Sequence, residues 1–196
     1  MLESEKKVLL TKNEYESLLK ILGKDIRPVT QINYYYDTDD FEMNRQGITF
    51  RIREKQDKYI ATIKIHQKDN NEDSTEESGE VSDQFDNSFF KKTDVKLQGS
   101  LTTIRTILFR NEKIEAVLDM NSYLNFVDYE LEIEYLPEAK NQAEKLLHVL
   151  AETLYLNEEK TMVTEFCRRS HFPESKSQRF FKRKKLLQNK VKREGI

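Results

Sequence analysis

Four short stretches place polar or ionisable side chains at spacing two: Glu3-x-Glu5-x-Lys7, Arg51-x-Arg53-x-Lys55, Thr62-x-Lys64 and Glu130-x-Glu132-x-Glu134. Alternate side chains of a β-strand share a face, so each stretch projects its polar groups together. A carboxylate pair can hold a hard divalent cation such as Mg²⁺, and an ammonium beside it suits a phosphate oxygen. The faces are also sorted by sign, and like charges side by side need opposite-sign partners nearby. Acidic and basic strands complement each other if the sheet curls until these faces meet. The apolar faces then point outward, under helices. A sheet of about eight strands closed in this way has room inside for side chains and one small ligand. Its interior holds Lys7, Arg51, Arg53, Lys64, Arg105 and Lys176 opposite Glu3, Glu5, Glu80, Asp119, Glu130 and Glu132. Such charges persist away from water only when paired, hydrated or bound to ions. A polyphosphate with a divalent metal satisfies both halves, because guanidinium forks grip phosphoryl oxygens and carboxylates hold the metal.

The elements that must position these groups follow from periodicity and punctuation. Residues 1–10 read as the first strand. Thr11-Lys-Asn-Glu14 has capping-box spacing, Tyr15, Leu18, Leu19 and Leu22 make one apolar face, and Gly23 stops the helix. Residues 31–38 read as an aromatic-rich strand that ends in turn-forming residues 37–40. Residues 41–46 are short and irregular or helical. Residues 48–55 and 59–66 form a hairpin about a turn at Asp57-Lys58. Residues 68–79 are polar and low in complexity, and are expected to be a flexible loop. Glu76, Ser78 and Glu80 have strand spacing and open another strand that ends at Ser82. Residues 83–99 read as short helix and loop. Strand candidates follow at 101–109, 113–119 and 129–135, the last with the clearest alternation in the chain. Pro137 opens a helix that runs to about Leu156, residues 158–170 form a second, and Pro173 breaks it. Residues 175–181 are expected to be a final strand that carries Lys176.

At 196 residues the chain fits one domain with an appendage, divided here as residues 1–181 and a basic tail at 182–196. A net charge of −2 gives no bulk attraction for polyanions, so an anion site must come from local arrangement. The single cysteine, Cys167, rules out an intrachain disulfide. There is no apolar run of signal-peptide or membrane-span length, so no membrane association is expected and the assigned location is cytoplasmic. His66, His148 and His171 lack ligand spacing, which argues against zinc. The tail with Lys182, Arg183, Lys184 and Lys185 reads as a solvated helix end, with no nucleic-acid partner expected.

The ordered set Glu3-x-Glu5-x-Lys7, Tyr35-Tyr36-Asp37-Thr38, Arg51-x-Arg53, Thr62-x-Lys64, Arg105, Leu118-Asp119 and Asp128-Tyr129-Glu130-Leu131-Glu132 resembles the CYTH domain, the fold of the triphosphate tunnel metalloenzymes. The similarity is greatest to the small stand-alone CYTH proteins of Gram-positive bacteria. The resemblance implies an α+β fold, an eight-stranded antiparallel closed β-barrel or tunnel covered outside by helices. It implies metal binding by Glu3, Glu5, Glu80, Asp119, Glu130 and Glu132, with Mg²⁺ or Mn²⁺ as cofactor. Triphosphate binding would fall to Lys7, Arg51, Arg53, Lys64, Arg105 and Lys176, with Lys64 and Arg53 stabilising the reacting phosphoryl group. The expected activity is hydrolysis of inorganic triphosphate to pyrophosphate and phosphate. Two alternatives stand beside it. One is an organic triphosphate, either thiamine triphosphate or ATP cyclised to cyclic AMP, which needs a ring pocket to which Tyr34, Tyr35 or Tyr36 would contribute. The other is a binding module without turnover. The partner in every case is a small molecule that contains a triphosphate.

Overall fold

The computed structural model describes residues 2–67, 70–91, 94–156, 160–171 and 174–194, without the side chains of 2, 3, 66, 67, 70–73, 171, 192 and 194. The expectation for the Glu3 carboxylate therefore lies outside the described residues.

Eight antiparallel strands form one sheet: β1 (Leu2–Leu10), β2 (Val29–Asp37), β3 (Ile48–Lys55), β4 (Lys58–Gln67), β5 (Asn70–Val81), β6 (Lys96–Arg110), β7 (Ile114–Tyr123) and β8 (Phe126–Tyr135). Their spatial order is β5-β4-β3-β2-β6-β7-β8-β1, and β1 returns to meet β5. The seams on the two sides of β1 are unequal. β1 pairs with β8 from Ser4 to Leu10, but with β5 only from Leu2↔Thr75 to Ser4↔Asp73. Past Ser4 no β1–β5 pair is formed among the described residues. The sheet is thus a deeply curled half-barrel for most of its length, and the full closure expected from the sorted charges is limited to that short seam. Farther along β1, the Leu9 carbonyl accepts instead from Arg169 Nη1 at 3.2 Å.

Local chemistry explains most boundaries. Two-residue hairpins join β3 to β4 and β7 to β8, with positive φ at Gln56 and Asp57 and at Leu124 and Asn125. The first turn lies one residue earlier than Asp57-Lys58. The buried Asp37 carboxylate ends β2 and accepts from the Met43 and Asn44 amides, both at 2.9 Å, which starts the short helix α2 (Glu42–Arg45). Helix α1 (Lys12–Leu22) opens on a complete capping box between Thr11 and Glu14. With α3 (Lys140–Leu154) and α4 (Lys160–Arg168), it covers the outer face of β1, β7 and β8 around Val8, Leu118, Leu131 and Ile133. No helix among the described residues is long and apolar enough to cross a membrane.

Two expectations are corrected. The strand expected from Glu76 begins earlier, at Asn70, within the stretch expected to be a flexible loop, because a ladder that includes Tyr59↔Val81 to Ile65↔Thr75 ties it to β4 despite its polar composition. Residues 176–194 are one helix, α5 (Lys176–Glu194), where a strand at 175–181 and a separate tail were expected. Ser175 and Gln178 explain it. The Gln178 side-chain oxygen accepts from the Ser175 amide at 2.7 Å, and Ser175 Oγ accepts from the Gln178 amide at 3.3 Å. This reciprocal pair is a capping box.

Candidate active site

Cross-strand neighbours share a face, and the registers Arg51↔Thr62, Thr49↔Lys64, Lys64↔Glu76, Arg105↔Asp119, Asp119↔Glu130 and Lys7↔Glu132 set the sorted charges side by side within the curl. They surround a cavity of about 140 Å³ lined by Glu5, Lys7, Tyr35, Thr49, Arg51, Arg53, Lys64, Glu76, Arg105, Glu132, Glu134, Ser175, Lys176 and Ser177. That volume exceeds the needs of one water and falls well below the roughly 300 Å³ at which drug-sized pockets begin. It suits a compact ion.

One end of the curl is sealed. Phe180 of α5 is fully buried, with its ring 5.0 Å from Tyr35 and 6.2 Å from Tyr123, and Phe181 stacks 5.2 Å from Phe41. Gly99 permits this approach. Its φ is +140°, and a Cβ there would lie 3.0 Å from the Phe180 ring.

The basic side of the cavity is only partly compensated. Glu76 lies 3.1 Å from Lys64 and 3.5 Å from Arg51. Burial would raise the Glu76 carboxyl, but Arg51 and Lys64 hold it below its usual range. Arg53 donates through Nε to Asn33 Oδ1 at 3.0 Å and has no carboxylate ion pair among the described residues. Burial, with Arg51 and Arg105 beside it, pulls its guanidinium down to about 10. Arg51 Nε is buried without a hydrogen-bond partner. Both arginines thus face the cavity with unused capacity for an anion.

The acidic side has two tiers. Toward the cavity, Glu5 lies 2.9 Å from Lys7 and 3.9 Å from Lys64, and Glu134 lies 3.6 Å from Arg105. Deeper, Asp119 and Glu130 are wholly buried beside the nearly buried Glu132. Lys176 Nζ reaches Asp119 at 3.0 Å, Glu132 at 2.6 Å and also Glu130. Arg105 binds Asp119 at 2.7 Å and Glu132 at 3.2 Å, while Arg179 binds Glu130 at 2.7 Å. Burial alone would raise the Glu130 carboxyl, but Lys176, Arg179 and Lys7 hold it at about 2.

The six expected cations all line one cavity, together with Glu5 and Glu132, and Asp119 and Glu130 lie behind Lys176. Glu80 does not join them. It pairs with Ile60 toward the end of β5 and is exposed, and the carboxylate of that strand at the cavity is Glu76. Lys176 comes from the first turn of a helix and grips carboxylates, where a strand residue facing triphosphate was expected. Glu134, Thr49 and Arg179 were missed. Glu134 continues the alternation of Glu130 and Glu132, so its signal was present. Arg179 is visible only once 176–194 is read as a helix, which sets it one turn after Lys176.

The carboxylates form two trios, Glu5/Glu132/Glu134 and Asp119/Glu130/Glu132, each with one oxygen per residue within 4.8 Å of the others. All-oxygen donor sets match hard ions such as Mg²⁺ and Mn²⁺, so both trios fit a divalent ion by chemistry. In the deep trio the Lys176 ammonium stands where such an ion would sit.

A family profile described as the CYTH domain matches residues 1–164. The candidate triphosphatase YjbK of Bacillus subtilis (strain 168) is 33% identical over 162 residues, which covers 74% of this chain and 85% of YjbK. A solved structure of a candidate adenylate cyclase from Bacillus halodurans superposes with a TM-score of 0.67 at 25% identity, over 91% of this chain and 97% of that one. HpAC1 from Hippeastrum, described as a candidate adenylyl cyclase with a dominant triphosphatase activity, superposes at 0.59 with 18% identity, over 84% and 94%, and shows the shared fold.

Proposed function

Because the chain belongs to the CYTH domain family, we propose that it hydrolyses inorganic triphosphate to pyrophosphate and phosphate in the cavity of the curled sheet, with Mg²⁺ or Mn²⁺. The observation that carries this reading is Arg53. A cavity-facing guanidinium with no carboxylate ion pair among the described residues, beside the unpartnered Arg51 Nε, favours an anion that completes it. The small cavity and the aromatic seal favour the bare anion over a nucleotide or thiamine ester.

Phosphoryl transfer depends mainly on in-line positioning and charge neutralisation. Arg51 and Arg53 lie on one strand and bind phosphoryl oxygens through their forks. Lys64, on the neighbouring strand, and Lys7 neutralise the bound chain from the opposite side. Arg53 and Lys64 stabilise the charge that develops on the transferred group. Glu5, Glu132 and Glu134 would hold the divalent ion. When bound, such an ion polarises phosphoryl oxygens and supplies a nucleophile at neutral pH. Asp119 and Glu130 complete the acidic wall behind it.

The test is release of phosphate and pyrophosphate from inorganic triphosphate, with ATP and thiamine triphosphate in parallel. Metal-dependent turnover of inorganic triphosphate, lost in Glu132→Gln, supports the reading. Cyclic AMP from ATP would replace it with a cyclase, and tight binding without turnover would leave a binding module.

A further inference from the structure

The metal reading leaves one group unexplained, the Lys176 ammonium in the deep carboxylate trio. An ammonium has three N–H donors and no acceptor, and here it meets three carboxylates, Asp119, Glu130 and Glu132. The contact with Glu132 is a hydrogen bond of 2.6 Å, and those with Asp119 and Glu130 are ion pairs. Arg105 shares Asp119 Oδ2 with Lys176 at 2.7 Å and takes Oδ1 at 2.9 Å, while Arg179 takes Glu130 Oε2 at 2.7 Å. Three cations therefore already face three anions, in a pocket where Asp119 and Glu130 have no exposed surface. Lys176 also stands in the first turn of α5, whose end carries positive dipole that favours carboxylates. The helix is anchored by the buried Phe180 and Phe181 and by the Ser175–Gln178 cap. Withdrawal of the ammonium therefore means moving a packed element, not one flexible side chain.

The trio nearer the mouth differs. Its cations reach one or two carboxylates each: Lys7 lies 2.9 Å from Glu5 and 3.9 Å from Glu132, Lys64 3.9 Å from Glu5, and Arg105 3.2 Å from Glu132 and 3.6 Å from Glu134, whose side chain is 41% exposed. A divalent ion entering there competes with cations spread around the trio, not with one seated among all three carboxylates. One entering the deep trio would meet an ammonium already seated, with a guanidinium on either side, and like charges at such separations repel strongly.

We propose that Lys176 is a tethered cation that takes the place of a metal ion in the deep trio, so that the chain loads one divalent ion, at Glu5, Glu132 and Glu134, rather than two. The inference rests on the metal-dependent reading above and adds its stoichiometry. It makes Lys176 a positioning residue. The lysine neutralises and orders Glu132, which the two trios share, so that this carboxylate presents its remaining oxygen to the cavity.

The test uses Mn²⁺ alone, without triphosphate, titrated into metal-free full-length protein and followed by calorimetry and by the electron paramagnetic resonance of free Mn²⁺. Wild type and Lys176→Arg, which keeps the charge, are expected to bind one Mn²⁺ per chain. Lys176→Met keeps the stem without the charge and is expected to bind two, with its fold verified by circular dichroism. The surface variant Lys182→Ala, whose lysine pairs only with Glu174 among the described residues, is expected to stay at one. Two ions in the wild type, or one in a folded Lys176→Met, overturns the inference while leaving metal-dependent turnover standing. Should Lys176→Met fail to fold, the wild-type stoichiometry decides. If neither protein binds Mn²⁺ and turnover persists in chelator, the inference and the metal-dependent reading fall together.

Discussion

Arg53 and Glu76 show how far single residues could be read from the chain. The Arg51-x-Arg53 spacing put two guanidinium groups on one strand face, and the cavity holds both. Spacing could not reveal that Arg53 has no carboxylate ion pair among the described residues, because that depends on strands far away in sequence. We expect Arg53→Ala to lower kcat/KM for inorganic triphosphate by about 10²-fold. Arg53→Lys should recover only part of the loss, since an ammonium cannot reproduce the fork. Full recovery by lysine in steady-state kinetics would reduce Arg53 to a point charge. On β5 the expected acid was Glu80, and the ladder to β4 instead places Glu76 at Lys64. Glu80→Gln should leave kcat/KM within about twofold, as exposed substitutions usually do. Glu76→Gln frees Arg51 and Lys64 from a competing carboxylate and should lower the KM for triphosphate. An unchanged KM in Glu76→Gln, with a clear effect in Glu80→Gln, would reverse that assignment.

At the scale of elements, legibility followed how local each determinant is. The Thr11–Glu14 capping box, the β3–β4 hairpin and the alternation of β8 are short-range signals, and each element forms close to its expected place, with the β3–β4 turn one residue earlier and β8 longer at its start. The first half of β5 was hidden because its polar residues become a strand only through pairing with β4. α5 was hidden differently. Its capping box, Ser175-x-x-Gln178, was present but was outweighed by an expectation of strand spacing around Lys176. Glu14 gives this scale its pH dependence. It joins α1 to the end of α4 and of α3 by accepting from Arg169 at 2.5 Å and from Tyr155. Burial would raise its carboxyl, but the Arg169 and Tyr155 bonds and the Thr11 amide hold it below the ordinary 4.5. A depressed carboxyl stabilises fully above the unfolded value and loses that contribution as pH falls through the folded one. Glu14→Gln should therefore be less stable than wild type at pH 7, and the gap should narrow as pH drops below about 4.5. Urea unfolding at a series of pH values measures it, and a gap that is constant with pH would contradict the argument.

Across the whole molecule, the sorted charges gave the curl of the sheet, with apolar faces outward under helices and an ionic interior. They could not show that β1 closes on β5 over three pairs only, or that α5 enters one end as a plug. The division between domain and tail at residues 181 and 182 falls inside a continuous helix that runs from the site to the surface. Phe180 links the two roles of that helix, since its ring is wholly buried against Tyr35. Phe180→Ala should cost about 3–5 kcal/mol of stability, as large aromatic truncations in packed interiors do. Chemical denaturation checks this, and a loss below about 1 kcal/mol would mean that α5 is not an integral part of the fold.

Phosphorus NMR of inorganic triphosphate mixed with the protein and Mg²⁺ or Mn²⁺ at substoichiometric level decides whether this interior cleaves a bare triphosphate. The triphosphate resonances are expected to give way to pyrophosphate and phosphate in equal amounts, and chelator to stop the conversion. Triphosphate that is bound yet never cleaved, or cleaved equally well by Arg53→Ala, would contradict that expectation.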